Sequence, residues 1–246
     1  MNINSAFILA GGKGSRLKEI TKSIPKPMIE IVDKPLLIHL INFYKTYGVS
    51  NIFVLTGYKH DYIVKYFKKN FTEVKKDTFS IDNSCKVSLV FTGLNSLTAK
   101  RIKKGIKKLN EENFYLTYGD GLSDVDLLKL TKSFFDNKSI ATVTAVRPPA
   151  RFGSLELKNN KVVSFGEKKQ TQSGWINGGF FVLNKDVSKY LSDKNEPFEG
   201  PPLEQLSKKR KLSAYKHSGF WQCVDTLREK EILEESIRLG EFKVYE

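Results

Sequence analysis

Short apolar runs alternate along this chain with amphipathic stretches of roughly a dozen residues, and this alternation restricts the fold more than any other feature. The apolar runs are rich in β-branched and aromatic residues, which predicts strands at residues 6–10, 52–56, 87–92, 114–118 and 140–146. Because parallel strands need a crossover connection, strands that alternate with helices favour right-handed βαβ units. We therefore predict an α/β protein with a mostly parallel mixed sheet and helices on both of its faces.

The stretches between the strands have the apolar spacing of helices. One predicted helix begins at Pro35, which fits a first helical turn, and ends before Gly48. Other helices are predicted at 61–67, 98–109, 123–135 and 226–239. Beyond residue 150 the pattern predicts a hairpin of strands 154–157 and 161–165 and a further strand at 176–183. Since no repeat or linker interrupts the 246 residues, we predict one domain spanning 1–246.

Composition restricts the classes of function. No segment approaches the roughly 18 consecutive apolar residues of a membrane helix, and the N-terminus lacks a secretion signal. Cys85 and Cys223 lack metal-type spacing and are expected to be reduced thiols, so we expect a soluble cytoplasmic protein with no membrane partner. The net charge of +14 would suit an anionic partner, but lysines on helix faces supply most of it, and we expect no nucleic-acid partner.

A glycine-rich segment, Gly11-Gly12-Lys13-Gly14, follows the first predicted strand directly. Such a loop can turn consecutive backbone N–H groups toward phosphate oxygens, although glycine content alone fits a plain tight turn equally well. The spacing matches neither the Walker loop nor the dinucleotide-binding fingerprint. Arg16 follows the loop, and Lys26 stands between two prolines whose fixed φ angles stiffen the backbone. A lysine held in this way could stabilise phosphoryl charge, the alternative being an exposed loop lysine.

Longer motifs carry a resemblance to a known family. The run from Ala6 to Leu17, with Pro25-Lys26-Pro27-Met28, resembles the opening of the sugar-phosphate nucleotidyltransferases. Members of that family transfer a nucleoside monophosphate from an NTP to a sugar 1-phosphate and release pyrophosphate. The later motifs are most similar to the glucose-1-phosphate cytidylyltransferase branch: Tyr118-Gly119-Asp120-Gly121, Arg151-Phe152-Gly153, Glu167-Lys168, Ile176-Asn177-Gly178-Gly179, Gly219-Phe220-Trp221-Gln222 and Asp225-Thr226-Leu227-Arg228.

The resemblance implies a Rossmann-like nucleotidyltransferase fold with a small C-terminal part built from a β-hairpin and helices. Residues from about 1 to 145 would form the nucleotide-binding half, and residues from about 146 to 246 the acceptor-binding half. The expected partners are CTP and a phosphorylated small molecule, with glucose 1-phosphate as the best single candidate, and the expected cofactor is Mg²⁺.

The resemblance also implies roles for individual residues. The nucleotide would be bound by Leu9, Ala10, Gly11, Gly12, Gly14, Ser15, Arg16, Lys26, Thr98, Arg101, Gly119 and Asp120. The catalytic set would be Arg16, Lys26, Asp120 and Asp225, with Asp120 and Asp225 as the Mg²⁺ ligands. The acceptor would be bound by Glu167, Lys168, Asn177, Gly178 and Trp221. Without the resemblance, Asp120 would read as a turn residue and Asp225 as a helix cap.

The implied reaction needs no strong general base, because the attacking phosphate is already ionised. We therefore assign no catalytic role to His39, His60 or His217. The main barrier is repulsion between two polyanions, which a hard cation with oxygen ligands and positioned lysine and arginine side chains would reduce.

Three departures from the family pattern leave alternatives open. The chain has Thr98-Ala99-Lys100-Arg101 where the family usually has Thr-Gly-Gly-Arg. The segment 67–92 is shorter than the corresponding segment of the family, and Lys169 replaces the proline that usually follows Glu-Lys. A uridylyl or thymidylyl donor, another sugar 1-phosphate and a non-sugar acceptor therefore stay open, as does a homo-oligomer. A catalytically silent nucleotide-binding module is the alternative from another class.

Overall fold

The computed structural model describes residues 3–17, 21–148, 154–158, 161–166 and 174–245. Its strands are β1 (Ser5–Ala10), β2 (Glu30–Ile31), β3 (Lys34–Pro35), β4 (Asn51–Thr56), β5 (Thr72–Lys75), β6 (Thr78–Ser80), β7 (Lys86–Phe91), β8 (Asn113–Tyr118), β9 (Gly121–Ser123), β10 (Ala141–Val146), β11 (Ser154–Lys158), β12 (Lys161–Gly166), β13 (Ile176–Asn184), β14 (Leu212–Lys216) and β15 (Trp221–Cys223). Its α-helices are α1 (Leu36–Thr46), α2 (His60–Asn70), α3 (Thr98–Ile106), α4 (Leu127–Asp136), α5 (Pro201–Lys208) and α6 (Leu227–Arg238). Short 3₁₀ helices span Ser15–Leu17, Lys26–Met28 and Lys185–Tyr190.

Nine of the described strands form one sheet in the order β14-β10-β13-β8-β1-β4-β7-β6-β5. The central strands β8, β1, β4 and β7 are parallel, whereas β13 and β6 run antiparallel to their neighbours. Strand β10 pairs antiparallel with β13 and parallel with β14, so the nine strands of this sheet share one direction except for β13 and β6. The predicted mostly parallel mixed sheet is confirmed.

Both faces of the sheet are covered. On β1, Ala6 and Ile8 pack into one hydrophobic cluster with α1, α2 and α4, whereas Phe7 and Leu9 pack into a second cluster with α3 and α5. Side chains alternate between the two faces of a strand, so a strand buried on both sides must be apolar throughout. This explains why β1 is an uninterrupted apolar run and why the sequence pattern located it correctly.

The predicted elements agree with the structure at most boundaries, and the exceptions have local causes. Ser123 ends strand β9, and α4 begins only after Asp126, whose carboxylate accepts a hydrogen bond from the Lys129 backbone N–H. The interpretation of Ser123 as part of the helix start was therefore wrong. The hairpin of β5 and β6, the edge strand β14 and helix α5 were not predicted, because their short, largely exposed segments lack a clear apolar period.

Phe114, on β8, provides a test of the packing on the second face. Its side chain is fully buried, and its ring lies 4.6 Å from that of Phe7, centroid to centroid. We expect Phe114→Ala to lower the free energy of unfolding by about 3–5 kcal/mol, because it leaves a cavity in a close-packed core. Urea denaturation would measure the loss, and the half-exposed Phe91 gives the control, since Phe91→Ala should cost less than about 1 kcal/mol.

Cys85 is a reduced, buried thiol, as the sequence predicted. Burial, together with the nearby Asp82 carboxylate, raises its pKa to about 11 from an ordinary value of 9.0. The folded protein therefore holds this proton more tightly than the unfolded chain, so the thiol's contribution to stability is present below pH 9 and is lost as the pH rises through 11. We expect a thiol reagent at pH 8 to label Cys85 about 100-fold more slowly in the folded than in the denatured protein, and equal rates would contradict this.

None of the helices in the described part of the chain combines the length and the apolar composition that crossing a bilayer requires.

Candidate active site

The strand register places the loops that follow β1, β4 and β8 at the same edge of the sheet. Ala10 pairs with Thr56, and Leu9 pairs with Tyr118, so Gly11, Gly57 and Gly119 leave neighbouring strands side by side. The carboxyl edge of an open α/β sheet is the usual place for a ligand site. A cleft of about 320 Å³ lies there, lined by Leu9, Gly11, Gly12, Gly14, Ser15, Leu17, Lys26, Pro27, Ser96, Leu97, Thr98, Arg101, Tyr118, Gly119, Asp120, Pro197, Glu199 and Asp225.

The glycine-rich loop forms one wall of this cleft. Gly14 has a φ of 61°, a left-handed conformation that glycine adopts without strain. Its carbonyl oxygen accepts hydrogen bonds from the Leu17 backbone N–H (3.0 Å) and the Thr21 hydroxyl (3.1 Å). A Cβ atom at Gly14 would lie only 2.8 Å from the Thr21 side chain. The loop therefore has a defined shape that depends on glycine, with Gly12 exposed at the cleft.

Lys26 lies at the floor of the cleft, between the two predicted metal ligands. Its Nζ donates to Asp120 Oδ2 at 2.8 Å and to Asp225 Oδ1 at 2.6 Å, although the lysine side chain is only 10% exposed. Burial alone would lower the pKa of Lys26, but the charges and hydrogen bonds of Asp120 and Asp225 outweigh burial and raise it. The ammonium group is therefore charged at neutral pH and holds both carboxylates.

A short antiparallel ladder brings the two aspartates together. Strand β9, just after Asp120, pairs with β15, just before Asp225, and the Val224 backbone N–H donates to the Asp120 carbonyl oxygen at 2.8 Å. Asp225 comes just before Thr226, the N-cap of α6. The Asp225 backbone N–H donates to the Glu229 carboxylate at 2.8 Å. The ladder on one side and the helix start on the other determine where the Asp225 carboxylate points.

The donor set at this point suits a hard divalent cation. An oxygen of Asp120 and an oxygen of Asp225 both contact the same ammonium group, so the two oxygens converge on one location at the mouth of the glycine loop. Carboxylate oxygens are the ligands that Mg²⁺ prefers. Cys223 Sγ and a Glu229 oxygen lie within 4.8 Å of an Asp225 oxygen, but Glu229 also accepts hydrogen bonds at the start of α6. Asp120 and Asp225 are the residues here that could hold Mg²⁺.

Thr98 and Arg101, at the start of α3, both line the cleft, but their polar groups are hydrogen-bonded to other groups of the protein. The Thr98 hydroxyl donates to Glu199 Oε2 at 2.7 Å and accepts from the Phe198 backbone N–H at 2.7 Å. The Arg101 guanidinium is buried and donates to four oxygens of the protein. Ala99 packs in the core, and neither Ala99 nor Lys100 lines the cleft.

The described acceptor residues lie beside the cleft and not in its lining. Asn177 Nδ2 donates to the Tyr118 hydroxyl at 3.2 Å, and Trp221 Nε1 donates to the Gly178 carbonyl oxygen at 2.7 Å. Tyr118 lines the cleft, so Asn177 is connected to the cleft by one hydrogen bond. Glu167, Lys168, Lys169 and the Arg16 side chain lie outside the described part of the chain.

Among the charged residues that line the described cleft, sequence reasoning missed Glu199. Its carboxylate accepts hydrogen bonds from the hydroxyls of Thr98 and Tyr118 and so links the start of α3 to the end of β8. Burial of Tyr118, with the adjacent Glu199 charge, raises the pKa of the tyrosine well above its ordinary value, so its hydroxyl keeps its proton and remains a donor. Glu199 stands in Pro197-Phe198-Glu199-Gly200, which carried no recognisable signal, whereas Tyr118 belongs to the Tyr-Gly-Asp-Gly motif.

The histidines make contacts within the fold, and none of them lines the cleft as described. His39 Nε2 lies 3.0 Å from the Ile31 carbonyl oxygen, and His60 Nδ1 lies 2.8 Å from the Thr56 hydroxyl. His217 Nε2 lies 2.9 Å from an Asp124 carboxylate oxygen. Each of the three imidazole rings therefore has a nitrogen in contact with an oxygen of the fold.

Comparisons with known proteins agree with this geometry. The family model described as Nucleotidyl transferase matches residues 5–229. The chain is 39% identical to a probable glucose-1-phosphate cytidylyltransferase of Bacillus subtilis, over 91% of this chain and 92% of that protein. It is 40% identical to the glucose-1-phosphate cytidylyltransferase of Salmonella typhimurium, over 93% and 94% of the two chains. The crystal structure of HddC from Yersinia pseudotuberculosis superposes with a TM-score of 0.73 and 28% identity, covering 96% of this chain and 100% of that chain. The chain therefore belongs to the sugar-phosphate nucleotidyltransferase family and is a nucleotidyltransferase.

Proposed function

We propose that this enzyme transfers the cytidylyl group of CTP to a sugar 1-phosphate, with glucose 1-phosphate as the first candidate, and releases pyrophosphate. The convergence of Lys26, Asp120 and Asp225 at the mouth of the glycine-rich loop is the observation that carries this proposal. The cytidylyltransferase relatives, at about 40% identity over nearly their whole length, support CTP as the donor.

The reaction is one displacement at phosphorus. An oxygen of the acceptor phosphate forms a bond to the α-phosphorus of CTP, and the bond from that phosphorus to the β-phosphate oxygen breaks. The departing pyrophosphate takes the electron pair, and because the attacking phosphate is already ionised, no residue has to remove a proton. The protein therefore acts by positioning the two substrates and by reducing their charge repulsion.

Each described group of the site has a part in this chemistry. Asp120 and Asp225 would hold Mg²⁺, which would supply positive charge that reduces the repulsion between the two anionic substrates. Lys26, which begins the short 3₁₀ helix Lys26–Met28 and is flanked by Pro25 and Pro27, presents a positive charge to the nucleotide phosphates. Backbone N–H groups of the loop around Gly12 bind phosphate oxygens.

The acceptor is assigned to the side of the cleft beyond Tyr118, where Asn177, Gly178 and Trp221 lie next to one another. Arg16, Glu167 and Lys168 keep the roles that the family resemblance implies, with Glu167 and Asn177 binding sugar hydroxyls and Lys168 the sugar phosphate. We further propose that residues 1–246 act as one domain in the cytoplasm, with residues from about 1 to 145 binding the nucleotide and the remainder binding the acceptor. Its partners are CTP and the acceptor, and we propose that it binds neither nucleic acid nor a membrane.

A substrate panel tests this proposal. The purified protein is incubated with Mg²⁺, one NTP at a time and a set of sugar 1-phosphates, and pyrophosphate release is measured. We expect the fastest release with CTP and glucose 1-phosphate. A relative named D-glycero-α-D-manno-heptose 1-phosphate guanylyltransferase from Aneurinibacillus thermoaerophilus is 32% identical, so GTP with that heptose phosphate belongs in the panel. Faster release with that pair would replace the proposal, and release with no pair would refute it.

A further inference from the structure

The Arg101 guanidinium lies directly beneath the glycine-rich loop, at the point where three parallel strands end. Nη2 donates to the Gly11 carbonyl oxygen at 2.7 Å, just after β1. Nη1 donates to the Thr56 carbonyl oxygen (2.8 Å) at the end of β4, and to the Thr92 hydroxyl (2.5 Å) and the Gly93 carbonyl oxygen (3.0 Å) just after β7. One side chain thus ties the loop to the ends of two neighbouring strands.

This cation is buried among neutral oxygens. Arg101 is 3% exposed, and each of the four acceptors described for its guanidinium is a carbonyl or a hydroxyl. Burial lowers the pKa of Arg101 to about 10, so the group is still charged at neutral pH. Burying a charge without an opposite charge is costly, whereas an anion bound on the other side of the loop would compensate for it.

The Gly11 carbonyl determines the direction of the next N–H group. This oxygen accepts from Arg101 and also from the Tyr58 backbone N–H at 3.1 Å, so two donors hold it toward the interior. In a trans peptide the carbonyl and the following N–H point in opposite directions, and the described chain contains no cis peptide. The Gly12 N–H therefore points away from Arg101, and Gly12 is an exposed residue of the cleft lining.

We infer that Arg101 is a positioning residue that orients the peptide between Gly11 and Gly12, so that the Gly12 N–H is a fixed donor to a phosphate oxygen of the nucleotide. This inference rests on the proposed function and refines it, because Arg101 acts on the phosphates through the loop and does not contact the nucleotide. Gly11 and Gly57, on either side of the guanidinium, leave the space that it occupies. A Cβ atom at Gly11 would lie 2.2 Å from the guanidinium, and a Cβ atom at Gly57 would lie 2.3 Å from it.

Two variants test the inference without changing the loop sequence. Gly57→Ala would displace the guanidinium while keeping its charge. Arg101→Lys would also keep the charge, but a lysine lacks the two Nη groups that reach separate oxygens. We expect each variant to raise the KM for CTP at least about 10-fold and to leave the KM for the acceptor unchanged, since a misdirected donor weakens phosphate binding. The double variant should be no worse than the poorer single variant, because both changes remove one interaction.

A direct readout follows the Gly12 amide by ¹H–¹⁵N NMR during titration with inorganic pyrophosphate. The wild-type signal should shift on binding, and the shift should be lost in Gly57→Ala and Arg101→Lys. Ile106→Val, at the far end of the same helix, is the control for mild destabilisation of α3 and should keep both KM values and the shift.

The outcomes separate the two proposals. Folded variants with wild-type KM values and an unchanged Gly12 shift would overturn the role of Arg101. Equal increases in the KM for CTP and the KM for the acceptor would also overturn it, because they would indicate a general structural defect. If the wild type released pyrophosphate with no substrate pair, the proposed function would fail, whereas the pyrophosphate titration would still decide the role of Arg101.

Discussion

Asp225→Asn is expected to lower the rate of pyrophosphate release by at least about 100-fold, which corresponds to about 3 kcal/mol of transition-state stabilisation. The substitution keeps the shape of the side chain but removes its negative charge, so a divalent cation loses one of two carboxylate ligands. The fold should survive, because the Asp225 backbone N–H still donates to Glu229 and the β9–β15 ladder is unchanged. Steady-state assays across a range of Mg²⁺ concentrations would measure the loss, and the variant should need more Mg²⁺ than the wild type.

Asp136→Asn is the matched control for this prediction. Asp136 lies at the end of α4, and its carboxylate pairs with the exposed Lys132 outside the described cleft. We expect that variant to keep wild-type turnover and Mg²⁺ dependence, because exposed ion pairs contribute little to stability. An Asp225→Asn protein with native circular dichroism and wild-type turnover would remove Asp225 from the proposed metal site.

Lys26→Met is expected to reduce turnover by about 100-fold and also to change how the protein responds to metal. Without the ammonium, the Asp120 and Asp225 carboxylates lose the positive charge that both of them contact. The Asp120 side chain is 39% exposed, so solvent screens part of this repulsion, and we expect a cost of about 1–2 kcal/mol, or roughly 5 °C in Tm. Mg²⁺ should restore part of this loss, because a cation bound to both carboxylates stabilises the folded state.

Thermal denaturation with and without Mg²⁺ would measure this effect. The increase in Tm on adding Mg²⁺ should be larger for Lys26→Met than for the wild type. Lys132→Met, which removes an exposed lysine of an ion pair on α4, should respond to Mg²⁺ as the wild type does. If Mg²⁺ raised the Tm of all three proteins equally, Asp120 and Asp225 would not form a common cation site with Lys26.

Both predictions depend on the same electrostatic arrangement. A cleft that binds two polyanions needs positive charge close to the reacting phosphorus, and Lys26 supplies it from a backbone segment that two prolines stiffen. Asp120 and Asp225 place negative charge in the same cleft, where both carboxylates pair with Lys26 and where the proposed Mg²⁺ would offset the remaining charge. The roles of Lys26 and of the two carboxylates therefore depend on one another.

The sequence by itself determined the elements whose cause is local. Strand β1 was predicted within one residue, because a strand buried on both faces must be continuously apolar. Helix α1 was located by Pro35 and the apolar spacing after it, and α6 was predicted at 226–239. The structure places the N-cap of α6 at Thr226, whose hydroxyl accepts from the Glu229 backbone N–H, and not at Asp225. The glycine-rich loop and its place at the carboxyl edge of the sheet followed from the strand that precedes it.

Only the tertiary structure decided which distant residues meet. Asp120 and Asp225 come together through the pairing of two three-residue strands, too short to leave a periodic signal in the sequence. Glu199 reaches the cleft from a loop before α5, and Arg101 turns its guanidinium toward protein oxygens because Gly11 and Gly57 leave room for it. Local propensity is set by neighbours in the chain, whereas the site is set by packing between elements. For this reason the sequence determined the central strands and the longer helices, and the fold determined the contacts of the residues that line the cleft.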